Sequence, residues 1–152
     1  MQKMLEKGDQ IPNVAGIDQN GKEIRLEQFR GKKLVIFFYP KASTPGCTKE
    51  ACNLNDYRKE LERFGYQIIG VSADSVKRQK NFSDKYEFQY PLIADENKEI
   101  IQAFGVWGPK KFMGKEYQGI HRTTFLVDEN GIIEEVIKNV KTKEHAQQIL
   151  NQ

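Results

Sequence analysis

The sequence predicts an α/β fold in which a central mixed β-sheet is flanked by helices. Residues 34–39 are apolar without interruption, which is typical of a central strand buried on both faces. Residues 67–72, with the sequence Gln-Ile-Ile-Gly-Val-Ser, predict a second buried strand. Segments with apolar residues at helical spacing follow each of these strands, as in residues 45–64. Strands that alternate with helices predict a layered fold with helices packed on the sheet.

The length and composition are those of one globular domain. The chain has 152 residues, of which 38% are hydrophobic and 30% are charged, and we expect residues 1–152 to form a single domain. The net charge of +3 is too small to indicate a nucleic-acid partner. No apolar run approaches the roughly 20 residues of a membrane span, and the first residues lack the apolar core of a signal peptide. We therefore expect a cytoplasmic protein without a membrane or nucleic-acid partner.

The first half of the chain contains clear signals for each element. A β-hairpin is predicted around Asp18-Gln19-Asn20-Gly21, since Asn-Gly strongly favours a tight turn. Ser75 is a good N-cap for the second helix. The predicted elements are a hairpin at 13–26, a strand at 33–39, a helix at 45–64, a strand at 67–72, a helix from 75 to 86, a strand at 91–94 and a helix at 97–104.

The second half of the chain is predicted to begin with a loop and to end with a helix. Residues 105–119 are rich in glycine and lack a periodic apolar pattern, which predicts a loop. Residues 123–127 and 132–137 are strands of a second hairpin, and Thr142 caps a final helix that ends at 150. The complete order is similar to that of a thioredoxin-like domain with an N-terminal β-hairpin extension, an analogy that concerns the fold alone.

Cys47 is the strongest candidate for a functional residue. It follows the buried strand directly, and ligands of open α/β sheets bind at the carboxyl ends of strands. Thr44 is a plausible N-cap and Pro45 a natural first residue, so Cys47 falls in the first helical turn. The amides and dipole of a helix N-terminus lower the pKa of a cysteine there, and a nearby cation would lower it further. The alternative is that Cys47 is an inert, buried hydrophobic residue.

Cys52 lies five residues after Cys47 in the same predicted helix. This spacing separates the two side chains by about 140° and about 7.5 Å along the axis, whereas a disulfide needs Cα atoms within roughly 4.4–6.8 Å. The two thiols are therefore either a redox pair that bonds after the helix opens, or unrelated. The spacing also differs from the Cys-x-x-Cys of a thioredoxin-type disulfide reductase.

The sequence predicts no metal site and no cofactor. The two histidines, His121 and His145, are far apart and lack the short spacing of a zinc site. We expect both histidines to lie on the surface. Glu50 lies in the first turns of the predicted helix, where a carboxylate is favourable for any helix, and the sequence gives no reason to assign it a role.

The segment around Cys47 resembles the active-site segment of the peroxiredoxins. Pro40, Thr44 and Cys47 have the Pro-x-x-x-Thr-x-x-Cys spacing of that family. The second cysteine, five residues later, is similar to the bacterioferritin-comigratory-protein (PrxQ) branch, in which Ala42-Ser43 is often Asp-Asn. Residues 8–12, 105–108 and 119–128 also match the branch, so the resemblance covers nearly the whole chain.

The resemblance implies a thioredoxin-like fold and the reduction of hydrogen peroxide and organic hydroperoxides. It makes Cys47 the peroxidatic nucleophile and Cys52 the resolving thiol, with thioredoxin or a similar dithiol as the reductant. It also implies that Thr44 hydrogen-bonds the peroxide, that Pro40 shields the sulfur from water, and that Arg122 supplies the cation. We expect a monomer. A second class of function is a non-enzymatic redox sensor that uses the same two thiols to switch a partner.

Overall fold

The computed structural model describes residues 3–151 and contains a central five-stranded mixed sheet. The elements in chain order are β1 (Ala15–Ile17), β2 (Glu23–Arg25), a 3₁₀ helix (Leu26–Phe29), β3 (Lys33–Phe38), α1 (Pro45–Asp56), α2 (Arg58–Arg63), β4 (Tyr66–Ser72), α3 (Val76–Tyr86), β5 (Leu92–Ala94), α4 (Glu99–Ala103), β6 (Trp107–Phe112), β7 (Lys115–Ile120), β8 (Thr123–Val127), β9 (Ile133–Ile137) and α5 (His145–Leu150).

Strand β3 is the centre of the sheet, whose strand order is β5-β4-β3-β8-β9. β3 and β4 are parallel, as are β4 and β5, whereas β8 pairs antiparallel with both β3 and β9. The connections between parallel strands run through α1 and α2 and then through α3. The predicted α/β fold with a mixed sheet and flanking helices is therefore confirmed.

The side chains of β3 alternate between two separate hydrophobic cores because successive residues of a strand point to opposite faces. Val35 and Phe37 pack with the core on the α1 side, which includes Ala51 and Leu54. Ile36 and Phe38 contribute to the opposite core, which contains α4. Burial on both faces explains why this strand is apolar almost throughout, as the sequence predicted.

The N-terminal hairpin is confirmed as β1 and β2, which pair antiparallel outside the main sheet. The Asp18 carboxylate stabilises its turn by accepting hydrogen bonds from the backbone N–H groups of Asn20 and Lys22, at 2.9 and 3.0 Å. The predicted cap of α3 is also confirmed, since Ser75 Oγ accepts from the N–H of Arg78 at 3.2 Å.

The predicted loop at 105–119 is wrong, because these residues form a second two-stranded hairpin, β6 and β7. Its turn residues Met113 and Gly114 both have positive φ, 51° and 80°, as a tight type I′ turn requires. Most of its side chains are exposed. A hairpin whose side chains are mostly exposed has no buried face that requires apolar alternation, so its sequence carries little strand signal.

Two predicted helix boundaries also differ in the structure. The single helix predicted at 45–64 is interrupted at Tyr57, where α1 ends. The side chain of Asn55 is bound there to the backbone of Glu87 and Gln89. The last helix begins at His145 instead of being capped by Thr142. Within residues 3–151, no helix is long and apolar enough to cross a membrane.

Candidate active site

The loop between β3 and α1 is held in place by the buried carboxylate of Asp74. Asp74, which follows β4, accepts a hydrogen bond from the backbone N–H of Ala42 at 2.7 Å and another from Ser72 Oγ at 2.6 Å. Both contacts are buried, where a hydrogen bond is stronger than in water. The carboxyl end of β4 thereby fixes the loop that precedes Cys47.

Cys47 occupies the third position of α1, and its side chain is 1% exposed. The backbone N–H of Thr48 donates to the carbonyl of Thr44 at 2.8 Å. The N–H groups of Gly46 and Cys47 precede Thr48 in the first turn of α1. The helix itself gives these two amides no acceptor. They are therefore free to stabilise negative charge in the first turn.

Thr44 is the N-cap residue by its backbone conformation, but its side chain does not cap the helix. Its hydroxyl instead donates to the carbonyl of Lys41 at 2.8 Å. This bond occupies the hydroxyl proton and leaves the oxygen lone pairs as acceptors. Thr44 lies three residues before Cys47, at the start of the same helix.

Arg122 provides the cation that the position of Cys47 led us to expect. Its Nη2 lies 3.4 Å from Cys47 Sγ, and its Nη1 donates to Glu50 Oε1 at 2.7 Å. A Cβ at Gly46 would lie 3.3 Å from Nη2, so glycine leaves space for this approach. Burial opposes the charge, but Glu50 and Cys47 outweigh it and raise the pKa of Arg122 above its usual value.

Glu50 is a site residue that the sequence did not identify. Its side chain is fully buried, and burial raises its pKa to about 7 although Arg122 favours the ionised form. The only sequence signal is its position three residues after Cys47, which places the two on one face of α1. That signal does not distinguish a buried carboxylate from an exposed one.

The predicted surface position of His145 is wrong, since its side chain is fully buried. α5 packs against α1, where the side-chain oxygen Oδ1 of Asn53 accepts from the backbone N–H of Ala146 at 2.6 Å, so the first turn of α5 faces the interior. His145 Nε2 lies 2.7 Å from Thr124 Oγ1 and 3.6 Å from Glu50 Oε2. Burial lowers the pKa of His145 to about 4. His121 is partly buried.

Cys52 lies on the same helix as Cys47, and neither cysteine is in a disulfide. The Cys52 side chain is half-buried and packs against the core on the α1 side. Burial, together with the carboxylate of Asp56, raises the pKa of its thiol. Cys52 is therefore held as a neutral thiol, and α1 must open before its sulfur can reach Cys47.

A cleft of about 310 Å³ adjoins the loop before Cys47. Pro40 and Lys41 form one wall, and the β6–β7 hairpin forms another through Trp107, Lys110 and Tyr117. Lys110 Nζ donates to the carbonyl of Ile120 at 2.8 Å, and burial and the charge of Arg122 lower its pKa. The cleft is therefore open space between the loop that leads to Cys47 and the β6–β7 hairpin.

Comparison with known proteins identifies the family of this chain. Residues 7–136 match the AhpC/TSA family. A putative peroxiredoxin bcp from Haemophilus influenzae is 44% identical over 147 residues, covering 97% of this chain and 95% of the relative. Peroxiredoxin Bcp from Escherichia coli strain K12 is 42% identical, covering 97% and 94%. The chain belongs to the AhpC/TSA family, within it to the peroxiredoxins of the Bcp/PrxQ branch, which are thiol-dependent peroxidases.

Solved structures support the same assignment. A cysteine-to-serine mutant of Xylella fastidiosa PrxQ superimposes with a TM-score of 0.91 at 31% identity, covering 99% of this chain and 96% of the other. Xanthomonas campestris bacterioferritin comigratory protein, studied as a trapped intermediate in alkyl peroxide reduction, has a TM-score of 0.85 at 38% identity, covering 91% and 88%. The resemblance inferred from the sequence and the thioredoxin-like fold are therefore confirmed.

Proposed function

We propose that Cys47 reduces hydrogen peroxide and organic hydroperoxides, with Arg122 as the residue that activates it. The contact of 3.4 Å between Arg122 Nη2 and Cys47 Sγ carries this proposal. A guanidinium group and the amides at the start of α1 both favour the thiolate, which is the nucleophilic form of cysteine. Alkyl peroxide reduction by the relative from Xanthomonas campestris supports an organic substrate.

The first chemical step transfers one oxygen atom to sulfur. The Cys47 thiolate attacks the terminal peroxide oxygen, a sulfur–oxygen bond forms, the O–O bond breaks, and the departing oxygen takes up a proton to leave as water or an alcohol. Charge develops on both oxygens during this step. Arg122 and the amides of Gly46 and Cys47 are fixed donors that can stabilise it. Thr44 accepts a hydrogen bond from the peroxide, and Pro40 limits the access of water.

The second step joins the sulfenic acid on Cys47 to the thiol of Cys52, with loss of water and formation of a disulfide. Because both residues lie on one continuous helix, this step follows the opening of α1. A dithiol reductant such as thioredoxin then restores both thiols by disulfide exchange. We propose that the protein acts as a monomer in the cytoplasm, as part of antioxidant defence.

Steady-state turnover with hydrogen peroxide and a thioredoxin system tests the proposal. We expect the wild-type protein to turn over many times, Cys47→Ser to be inactive, and Cys52→Ser to react once and recycle poorly. Full turnover by Cys47→Ser would refute the proposed role of Cys47. Oxidation of both thiols without any catalytic turnover would instead favour the redox-sensor function.

A further inference from the structure

The proposed peroxidase mechanism gives no role to Oε2, a buried oxygen atom of Glu50. Oε1 accepts from Arg122, but Oε2 has no hydrogen-bond partner among the described residues. The side chain is fully buried, away from bulk solvent. An ionised carboxylate buried with an unpartnered oxygen is costlier than a neutral carboxyl group in the same place, so the geometry favours a proton on Glu50.

The group that faces Oε2 is the ring of His145, whose Nε2 is 3.6 Å away. The other ring nitrogen, Nδ1, lies 2.8 Å from Gln148 Oε1. That oxygen also accepts from the backbone N–H of Lys141, and Gln148 Nε2 donates to the carbonyl of Asn139, so the orientation of the amide is fixed. Because an amide oxygen can only accept, the proton of the neutral ring is on Nδ1.

His145 Nε2 is consequently an acceptor, and the hydroxyl of Thr124 donates to it at 2.7 Å. It cannot donate to Glu50. An ionised Glu50 would therefore place the negative charge of Oε2 beside a ring nitrogen that has no proton to donate. A proton on the carboxyl group removes this conflict. Burial lowers the pKa of His145 to about 4 and raises that of Glu50 to about 7, so the carboxyl group holds the proton more strongly.

The other charged and titratable groups near Glu50 come from different parts of the fold. Arg122, which precedes β8, favours the ionised carboxylate. The Cys47 thiolate, on the same helix, disfavours a second negative charge beside Arg122. Tyr90 donates its hydroxyl to the carbonyl of Ala51, and burial keeps its pKa well above the usual value, so it stays neutral. A neutral Glu50 leaves the charge of Arg122 available to Cys47.

We propose that the Glu50 carboxyl group stores a proton in the reduced, closed protein and releases it when α1 opens to form the Cys47–Cys52 disulfide. This inference rests on the proposed peroxidase function. Glu50 lies between the two cysteines, so opening the helix carries it into water, where a carboxyl group ionises at an ordinary pKa. His145 retains Thr124 and Gln148, neither of which belongs to α1.

The stored proton balances the reaction. A Cys47 thiolate, a Cys52 thiol and hydrogen peroxide form a disulfide and two water molecules only if one further proton is supplied. Oxygen is reduced, both sulfurs are oxidised, and the proton from Glu50 ends in water. The reaction consumes one proton per disulfide. Near pH 6 we therefore expect the wild-type protein to take up less than one proton from the solvent, because Glu50 supplies it.

The test is a proton count during oxidation by one equivalent of hydrogen peroxide in weakly buffered solution at about pH 6, between the ordinary pKa of glutamate and its raised value. Free thiols and the disulfide are measured in the same samples. We expect Glu50→Gln, whose amide imitates the neutral carboxyl group, to take up about one proton more per disulfide than the wild-type protein. Equal counts with complete disulfide formation would overturn the inference, whereas absence of the disulfide would overturn the proposed function instead.

An infrared difference spectrum gives a second readout that does not depend on the folding of a variant. We expect the reduced wild-type protein at about pH 6 to show the carbonyl stretch of a protonated carboxyl group, shifted by isotope-labelled glutamate and lost on oxidation. Glu116→Gln, an exposed glutamate on β7, is the matched control and should retain the band. Absence of the band from the reduced wild-type protein would contradict a proton on Glu50.

Discussion

Arg122 and Cys47 are 75 positions apart in the sequence, yet the Arg122 guanidinium lies 3.4 Å from the Cys47 sulfur. The same guanidinium binds Glu50, three residues further along α1, at 2.7 Å. Arg122 therefore interacts with two groups on a single helix, the thiol that we propose reacts with peroxide and the carboxyl group that orients the guanidinium. This arrangement requires an intact α1, which links activation of the thiol to the closed conformation.

Replacing Arg122 should remove both the charge and the directed hydrogen bond at Cys47. We expect Arg122→Ala to lower kcat/KM for hydrogen peroxide by about 10²–10³-fold, as for the loss of one fixed donor in other active sites. It should also slow the alkylation of Cys47 by iodoacetamide, because the sulfur loses its neighbouring cation. Arg122→Lys should recover only part of the rate because lysine lacks the planar fork that reaches two partners. A rate within twofold of the wild type would contradict this role.

Replacing Asp74 should loosen the loop that leads to Cys47. Asp74→Ala leaves the buried N–H of Ala42 and the hydroxyl of Ser72 without their acceptor. We expect a loss of about 1–3 kcal/mol in the free energy of unfolding, measured by urea denaturation, together with slower reaction of Cys47 with peroxide.

Asp84→Ala is the matched control for this variant. Its partner is Lys80 in an exposed pair at 3.0 Å, and such pairs contribute about 0–1 kcal/mol. Equal destabilisation by the two substitutions would show that Asp74 does not support the loop.

The pH dependence of stability should reveal the raised pKa of Glu50. Its pKa is about 7 in the folded protein and 4.5 for the ordinary group, so the folded protein binds more protons between these values. The stabilising contribution of the Glu50 proton is fully present below pH 4.5 and is lost as the pH rises to about 7. Glu50→Gln should therefore gain stability relative to the wild type over this interval, by on the order of 3 kcal/mol.

The lowered pKa of His145 changes stability with pH in the opposite direction. The effect of Glu50 must therefore be measured as the difference between the wild type and Glu50→Gln. Its pKa falls from 6.5 to about 4 on folding, so the wild-type protein loses stability as the pH falls through that interval. The two effects partly cancel in the wild type. A difference in stability between Glu50→Gln and the wild type that does not change with pH would exclude a raised pKa for Glu50.

Oxidation should expose the segment between the two cysteines. We expect faster amide hydrogen exchange and protease cleavage at residues 45–55 in the disulfide form, because this part of α1 must unwind. The central residues of β3 should remain protected. Cys52→Ser treated with peroxide cannot form the bond and should retain protection of α1, so equal exchange in the oxidised wild type and this variant would argue against opening.

The sequence was sufficient to predict the order of most strands and helices, and the position of Cys47 at the start of a helix. The apolar run before Pro40 and the turn residues after it are local signals, and local signals determine where β3 ends and α1 begins. The hairpin formed by β6 and β7 was not predicted because its strands are mostly exposed. Without a buried face, a strand has no required alternation of apolar residues.

The surroundings of Cys47 depend on contacts between distant parts of the chain. Arg122 was assigned by resemblance alone, since nothing in its immediate sequence distinguishes it from a surface arginine. His145 and Glu50 meet because α5 packs against α1, and this packing depends on Asn53 and Ala146, which carry no recognisable pattern. A histidine or glutamate looks the same in sequence whether it is buried or exposed.

The central claim is that Cys47 is the thiol that peroxide oxidises, and chemical trapping of its sulfenic acid tests this claim most directly. Cys52→Ser is treated with one equivalent of hydrogen peroxide in the presence of dimedone, and the modified peptide is identified by mass spectrometry. We predict about one adduct per chain, located on Cys47. Consumption of the peroxide with an unmodified Cys47 would contradict the account.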